Sequence, residues 1–302
     1  MDSETLTGSA WRLDFNMKHL IASLFFFLTL SYPIFTLTLS ERENIGTFGQ
    51  GDGQFREPAG ITKLNGSLLI VDRRNQRVQR FTTGLTFEYA FKKILYEYGD
   101  NATMESPLSI AADERGAIYV LDSGPSVIYH FDSYGRYINT IGRFGAFGTK
   151  FNGPTGIAVD LNGLIYVADF GNNRILVLDA EGKKVSEIKG FSDPLNRPSG
   201  VIVTAEGAIF VLDSDGVKQF DSLGKFQKRL VSYPTGTSFT IDSKGQVYIA
   251  DLEAQSIKIF DVNGTALMTF SAVKKPTALY IDGTRLYISD ADRHQVRIYE
   301  SE

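Results

Sequence analysis

Six aspartates recur at the same place in a repeated pattern, and they are the residues of this chain best placed to share a chemical task. Each lies 14 to 17 residues after a proline, where an apolar run ends; the pairs are Pro58/Asp72, Pro107/Asp122, Pro154/Asp169, Pro198/Asp213, Pro234/Asp251 and Pro276/Asp290. A ring of carboxylates offers the several oxygen ligands that a calcium ion takes. Alternatively, each carboxylate accepts hydrogen bonds from the turn that follows it, which explains all six copies at once.

Other groups that carry chemistry are scarce. The sequence has three histidines, His19, His130 and His294, and their spacing predicts no zinc site. The absence of cysteine excludes disulfides, a thiol nucleophile and thiolate metal ligands. The Ser-x-x-Lys matches at Ser222 and Ser271 lack their partner motifs, and no phosphate loop or dinucleotide fingerprint occurs. We therefore predict no catalytic residues, no metal ligands and no cofactor, with calcium as the single alternative.

The elements that carry the aspartates repeat along the chain. In the clearest copy, strands are predicted at residues 156–159, 164–168 and 174–178, with Asn162-Gly163 as a tight turn between the first two. Apolar residues occur on both faces of many strands, so both faces must be covered. Small sheets packed radially against two neighbours satisfy this requirement, as in a toroid of repeated units.

This pattern resembles the NHL repeat of six-bladed β-propellers over roughly residues 43–299. The matching positions of the third copy are Pro154, Gly156, Ile157, Asp160, Gly163, Tyr166, Val167, Asp169, Asn172, Arg174 and Asp179. Copy one keeps Asn75 and Arg77, and the other copies are identified mainly by their rhythm. The resemblance implies an all-β, six-bladed β-propeller of four-stranded antiparallel blades. It implies no single function, because the family includes enzymes, sensors, nucleic-acid binders and scaffolds.

The ring is predicted to close through its two ends. Residues 44–55 resemble residues 139–151, which are the outer strand and exit loop of blade 2, yet no blade precedes them. The last copy ends at Tyr299 without room for an outer strand. We therefore expect residues 43–48, the N-terminal strand, to complete the last blade, and we expect deletion of residues 41–49 to destabilise the whole domain.

The first 40 residues form a separate segment from the domain at 41–302. Its apolar core, 20–39, carries no charge and follows Met17-Lys-His19, as in a secretory signal peptide; Thr38 and Ser40 suit a cleavage site. An uncleaved membrane anchor is the alternative, and either Met1 or Met17 is the true start. Both interpretations predict that the domain is extracytoplasmic: periplasmic, secreted or membrane-tethered.

A partner would bind where loops outgrow the scaffold. Loops that join second to third strands, and loops that join blades, are expected to share one face. The predicted partner-binding residues on that face are Arg73, Arg74, Tyr96, Tyr98, Arg143, Phe147, Phe170, Arg197, Asp292 and Arg293. Exposed aromatics beside arginine are typical of protein-binding hot spots. Phe48 and Phe144, which recur in phase, are instead expected to pack beneath the loops.

These features favour an exported propeller that acts as a protein-binding or scaffold module, as a subunit of an envelope or extracellular complex. A peptide or glycan is the other ligand considered. The formal net charge of −4 argues against nucleic-acid binding, and contact with a membrane is expected only through the N-terminal segment. One alternative is a calcium-dependent hydrolase or lyase with its site at the central channel mouth. A second alternative is a ligand-sensing domain.

Overall fold

Six four-stranded antiparallel sheets follow one another along the chain as the blades of a ring. A computed structural model describes residues 37–95 and 101–301 of the protein. Blade 1 comprises Pro58–Leu64, Ser67–Asp72, Arg77–Phe81 and Phe87–Phe91. Blade 2 comprises Pro107–Ala112, Ile118–Asp122, Val127–Phe131 and Tyr137–Ile141. Blade 3 comprises Gly156–Val159, Ile165–Asp169, Arg174–Leu178 and Lys184–Ile188.

The second half of the ring has the same construction. Blade 4 comprises Gly200–Val203, Ile209–Asp213, Gly216–Phe220 and Phe226–Val231. Blade 5 comprises Gly236–Ile241, Val247–Asp251, Ser256–Phe260 and Ala266–Phe270. Blade 6 comprises Pro276–Asp282, Arg285–Asp290, Gln295–Ser301 and, from the N-terminal side, Leu39–Ile45. Two small sheets lie between blades: Lys93–Leu95 with Asn101–Thr103, and Arg143–Phe144 with Lys150–Phe151. Two 3-10 turns, Arg73–Asn75 and Phe170–Asn172, join the second and third strands of blades 1 and 3.

Most hairpin turns share one sequence, Asp-x-x-Gly. They begin at Asp113, Asp132, Asp160, Asp179, Asp221, Asp242 and Asp261. In each, the glycine N–H donates to the carbonyl oxygen of the aspartate, whose own N–H donates to the carbonyl of the residue after the glycine. The glycines have φ between 76° and 100°, which only glycine adopts without strain. The Asp221 carboxylate also accepts the N–H groups of Leu223 and Lys225, so aspartate is chosen here for turn chemistry.

The core consists of six apolar clusters, each between two adjacent blades. Successive residues of one strand point to opposite faces and are buried all the same: Leu69, Ile70 and Val71 are 0% exposed. Burial on both faces follows from radial packing, since each sheet is covered by the sheets before and after it. The apolar runs on second and third strands are therefore a requirement of the ring.

The first strands surround a central channel of about 610 Å³. Small, hydroxyl and aliphatic side chains line it, including Ser109, Thr155, Val201 and Thr240. Thr155 donates its hydroxyl to the carbonyl of Pro198 in the next blade. Among the described residues, the lining includes no carboxylate, imidazole, ammonium or guanidinium group. The channel is therefore uncharged along its described lining, with hydroxyl groups among aliphatic side chains.

The N-terminal strand completes blade 6, as the sequence predicts. Leu39 pairs with Ser301 and Ile45 with Val296, and Arg297 forms an ion pair with Glu41 at 2.6 Å. The strand occupies Leu39–Ile45 rather than the predicted 43–48, because Gly46, with φ of 94°, already turns the chain into the following loop. The rest of the predicted leader lies outside the described residues. Within those residues, no helix has the length and apolarity needed to cross a bilayer.

Candidate partner-binding site on the loop face

The connections between strands separate onto two faces of the ring. We call the loop face the side formed by the loops joining second to third strands together with the loops joining blades. The hairpin face is the opposite side, formed by the remaining turns. Hydrogen bonds connect the two kinds of loop directly: Asn75 donates to the carbonyl of Gly49, and Arg197 donates its N–H to Asn173 at 2.8 Å. The predicted common face is therefore present.

The six repeated aspartates lie at this face, and all are buried. Asp169 accepts the N–H of Asn152 at 2.7 Å, and Asp72 accepts that of Arg56 at 2.8 Å. The corresponding bonds in blades 2, 4 and 6 come from Glu105 and Ser106, from Asn196, and from Lys274 and Lys275. The hydrogen-bonding interpretation thus needs a correction of detail. In these blades the aspartate fastens the loop that leads into the blade, with the following turn as a secondary partner.

Blades 1 and 3 add an asparagine and an arginine to the aspartate. The two triads are Asp72/Asn75/Arg77 and Asp169/Asn172/Arg174. In blade 3, Arg174 donates Nε to Asp169 at 2.8 Å and Asn172 donates to the same carboxylate at 2.8 Å. Arg174 also reaches the carbonyl of Lys150 at 2.8 Å, and Asn172 reaches that of Gly145 at 3.0 Å. The triad therefore holds the loop at 142–151 by its backbone.

The blade 1 triad holds a loop of the same length, 46–55, in the same way. Asn75 reaches the carbonyl of Gly49 at 2.9 Å, and Arg77 reaches that of Gln54 at 2.9 Å. The Asn-x-Arg element of the repeat is thus a loop anchor, which explains its absence from blades whose loops differ. Sequence reasoning identified the element without its purpose.

Both loops bury their last phenylalanine and expose an earlier one. Phe55 and Phe151 are 0% exposed, and each ring packs against the glycine that opens its loop. A Cβ on Gly46 would lie 2.3 Å from the Phe55 ring, so no larger residue fits there. Phe48 and Phe144 are 64% and 68% exposed, which contradicts the expectation that they pack beneath the loops.

The two loops differ at three positions that give the second loop cations and an aromatic ring. Aligned residue by residue, Thr47 corresponds to Arg143, Gly51 to Phe147 and Gln54 to Lys150. The contacts from the triads go to backbone atoms and do not fix these side chains, although Gln54 Oε1 accepts the N–H of Gly51 within the first loop at 3.0 Å. Phe147 is 82% exposed, which is unusual for so large an apolar side chain. The loop before blade 3 has therefore gained two positive charges and an exposed aromatic ring.

Phe170 and Arg197 lie beside this loop. The Arg197 guanidinium lies 5.8 Å from the centre of the Phe170 ring, a cation–π distance. The N–H of Gly171, next to Phe170, donates to the carbonyl of Asn152 at 2.8 Å, so the turn and the loop form one surface. We call this surface the blade-three patch: Arg143, Phe144, Phe147, Lys150, Phe170 and Arg197.

Residues 151–178, the end of this loop and the first three strands of blade 3, match the family model of the NHL repeat. The other blades have the same strand order, and the ring has six of them. The chain is a six-bladed NHL-repeat β-propeller. No curated protein is similar enough in sequence to count as a match to the propeller.

The propeller is also similar in fold to solved structures. A Bacteroides thetaiotaomicron protein of unknown function is 16% identical, with a TM-score of 0.64 over 88% of this chain and 76% of that one. A gluconolactonase from Xanthomonas campestris is 18% identical, with a TM-score of 0.64 over 83% and 88%. Virginiamycin B lyase from Staphylococcus aureus is 12% identical, with a TM-score of 0.57 over 87% and 99%. At these identities the likeness shows the fold alone.

Elsewhere on the NHL propeller, several predicted site residues make contacts within the chain. Arg73 donates to the Ser106 hydroxyl at 3.2 Å, which joins blades 1 and 2. Arg74 forms an ion pair with Glu57 at 3.1 Å. Arg293 forms a short ion pair with the buried Asp290. These three side chains therefore have structural partners, whatever else they contact.

The remaining predicted positions differ in exposure. Asp292 is exposed, with Lys274 at 3.8 Å. Tyr96 and Tyr98 lie outside the described residues. Sequence reasoning missed Phe191, which is 99% exposed in the loop after blade 3. The sequence could have indicated Phe191, because this phenylalanine lies in the loop between blades 3 and 4 and matches no position of the repeat.

A buried lysine in blade 4 was also missed. The Lys218 ammonium donates to the Pro194 carbonyl at 2.7 Å and lies 2.8 to 3.2 Å from Asp213, Asp215 and Asp193. Burial alone lowers a lysine pKa, but hydrogen bonds to Asp213 and Asp215 outweigh it and raise the pKa of Lys218. Lys218 thus pairs with the blade 4 aspartate as arginine does in blades 1 and 3, which assigns it a structural role.

The histidines do not converge. His294 accepts the N–H of Glu57 at 3.3 Å and packs on Phe48 with ring centres 4.8 Å apart. His130 stacks on Tyr119 with centres 4.6 Å apart, and burial lowers the pKa of His130. Over residues 37–95 and 101–301, no group of three or more acidic or histidine side chains is placed to hold a metal ion. The repeated aspartates are committed to loop hydrogen bonds instead.

Proposed function

We propose that the propeller is a protein-binding module whose loop face holds another protein outside the cytoplasm. The observation that carries this proposal is the loop at 142–151. Its backbone is fixed by Asp169, Asn172 and Arg174, while Arg143 and Phe147 project from it without serving the framework. A rigid scaffold that displays aromatic and arginine side chains is typical of protein-binding surfaces, because little side-chain and backbone freedom is lost on binding.

The channel supports this proposal over an enzyme with its site at the channel mouth. Histidine, aspartate and glutamate are the commonest general acids and bases, and calcium sites usually include carboxylates; the described lining offers none of these groups. The one titratable side chain in it is Tyr280, and burial raises the pKa of Tyr280 to about 12, so its hydroxyl stays protonated at neutral pH. The gluconolactonase and lyase among the similar structures share the fold, and no reactive group of the described channel extends that likeness to chemistry.

Site-specific photo-cross-linking in the native host tests the proposal. A photoreactive residue at Phe147 samples the loop face, and one at Leu223, which is 92% exposed, samples the hairpin face as the matched control. We expect one discrete protein adduct from position 147 and none from position 223. Adducts from position 223 alone, or none from positions 48, 144, 147 and 191, would contradict the proposal.

Location outside the cytoplasm rests on the apolar leader in the sequence. Intact-mass analysis of the mature protein tests it, since a signal peptide ending near Ser40 removes the leader and an anchor retains it. A mass that includes the leader, in protein recovered from the cytosol, would contradict export.

A further inference from the structure

The blade-three patch is positively charged and lacks an internal counter-ion. Among the described residues, the side chains of Arg143, Lys150 and Arg197 form no ion pair, and the Arg197 guanidinium lies over the Phe170 ring. The loop at 142–155 contains no acidic residue. The nearest acid in the following loop, Asp193, already binds Lys218 and Arg229 at 3.2 and 2.9 Å. Three cations around exposed phenylalanines are thus left for a ligand.

We infer that the blade-three patch binds an acidic linear segment of a partner protein. Carboxylates of the segment pair with Arg143, Lys150 and Arg197, and an apolar side chain of the segment packs against Phe147 and Phe170. The guanidinium groups suit carboxylates because their planar donors match the two oxygens. This inference rests on the proposed function and adds the chemistry of the partner and its place on the ring.

The sister loop at 46–55 has no cation of its own, and the arginine beside its Phe48 is Arg56, which follows the loop and lies 5.9 Å from the ring centre. It has the same anchors, the same buried phenylalanine and an exposed Phe48, so the framework is common to both. It carries Thr47 and Gln54 where the patch has cations, and it adds Asp52. Because both loops are held by the same anchors without these side chains, the charges of Arg143 and Lys150 and the ring of Phe147 are not needed for anchoring, and we ascribe them to a ligand.

The composition of the patch favours a protein segment over anionic lipid as the occupant. Arg143 and Lys150 lie in one loop with the exposed rings of Phe144 and Phe147. A peptide segment offers carboxylates to the cations and an apolar side chain to the rings at the same time.

Two matched variants isolate the patch. The first, R143T/F147G/K150Q, gives the loop the residues of its sister at three of the six positions at which the two loops differ. The second adds T47R/G51F/Q54K, which moves the same three side chains to the sister loop and restores the net charge and aromatic content. Gly51 tolerates the change because its φ lies outside the left-handed region and a Cβ there meets only the flexible Gln54 side chain.

Binding is measured by fluorescence anisotropy with labelled peptides of equal length: acidic with one leucine, acidic without it, and basic with it. We expect the wild-type protein to bind the first peptide best and R143T/F147G/K150Q to bind it about tenfold or more weakly. The relocated variant should remain as weak, because it lacks Phe170 and Arg197 beside its cations. Arg143→Glu, a single exposed change, should also weaken binding of the acidic peptide. It provides the test if the triple variant does not fold.

Equal binding by wild type and R143T/F147G/K150Q would overturn the inference. So would equal binding of the acidic peptides with and without leucine, full recovery by the relocated variant, or preference for phosphatidylglycerol vesicles or polyphosphate over the acidic peptide. If position 147 cross-links a partner while any of these results holds, the inference fails and the proposed function stands. Adducts from position 223 alone refute the proposed function itself.

Discussion

Asp169 illustrates how a residue that suggests metal chemistry in the sequence is used for structure. Its carboxylate is fully buried and accepts hydrogen bonds from Asn152, Asn172 and Arg174. A buried carboxylate with this many donors has little capacity left for a cation. The turn aspartates on the hairpin face are different, because solvent reaches them and each accepts backbone N–H groups of its own turn, as Asp221 and Asp261 do.

Substitution should separate these two classes of aspartate. Asp169→Ala leaves the buried Arg174 without its main counter-ion, and we expect a loss of about 3–5 kcal/mol in the free energy of unfolding. Asp221→Ala removes the bonds from two backbone N–H groups and from the Gln227 amide in an accessible turn, and it should cost about 1 kcal/mol. Guanidinium unfolding of both variants provides the comparison. Equal losses would mean that the Asp169 triad does not hold the loop.

Glu187 predicts a pH dependence. Hydrogen bonds from Lys189 and Lys184, assisted by Arg174, lower the pKa of Glu187 from its ordinary 4.5 to about 2. A carboxylate with a depressed folded-state pKa stabilises the fold fully above the unfolded pKa, and that stabilisation is lost as the pH falls through the folded pKa.

The Glu187→Gln variant tests this directly. We expect it to be less stable than wild type at neutral pH, with a constant difference down to about pH 5. The difference should shrink as the pH falls from 4.5 towards 2. Unfolding free energies of both proteins over that range are the measurement, and a difference that persists unchanged near pH 2 would rule out the ionised carboxylate as its cause.

At the level of elements, the strands were predictable and the loops were not. Strand positions follow from apolar runs between Pro-rich starts and Gly-containing turns, and the third-strand arginines follow from the repeat. Phe48 and Phe55 show the limit, because the sequence gives both as phenylalanine near glycine. Which ring is buried depends on the positive φ of Gly46 and on the space that its missing side chain leaves. Which phenylalanine is buried is thus decided by contacts in three dimensions, and no periodic sequence pattern indicates it.

The closing strand is the element whose loss should matter most. Deleting residues 37–45 leaves Gln295–Ser301 as an unpaired edge and removes Glu41 from the buried Arg297 and Ile45 from its cluster. We expect a lower unfolding temperature and concentration-dependent association, measured by thermal circular dichroism and size-exclusion chromatography. Glu43→Ala, an exposed change in the same strand, should stay within about 0.5 kcal/mol of wild type. An unchanged unfolding temperature in the deletion would contradict closure by this strand.

For the whole molecule, the two faces of the ring differ in charge for different reasons. On the hairpin face, seven turns begin with an aspartate, and turn geometry accounts for that choice. The loop face carries many cations, and Arg143, Lys150 and Arg197 among them serve no turn. The turn aspartates are thus explained by folding alone. The three basic residues of the loop face are not, and they are available to bind a partner. The overall charge of −4 conceals this asymmetry.

Ring closure also predicts that the positions of the chain ends can be moved. Joining Ser301 to Leu39 by a short linker connects two paired residues, and opening the chain within the exposed turn at Leu223 interrupts no strand. We expect this circular permutant to fold with an unfolding temperature within about 5 °C of wild type. Thermal unfolding beside the wild-type protein is the measurement. A permutant that fails to fold would show that the natural order of blades is needed.

Closure by the first strand has a consequence for synthesis. Leu39 leaves the ribosome long before its partner Ser301 exists, by roughly 10 to 50 seconds at about 5–20 residues per second. Throughout that interval, each finished blade can pack on the one before it, but the nascent ring keeps an open seam. A chain that stalls before blade 6 therefore leaves apolar faces of blades 1 and 5 uncovered and Leu39–Ile45 unpaired, the kind of surface that chaperones and proteases engage. Closing the ring thereby marks the moment when a newly made molecule ceases to be a substrate for quality control.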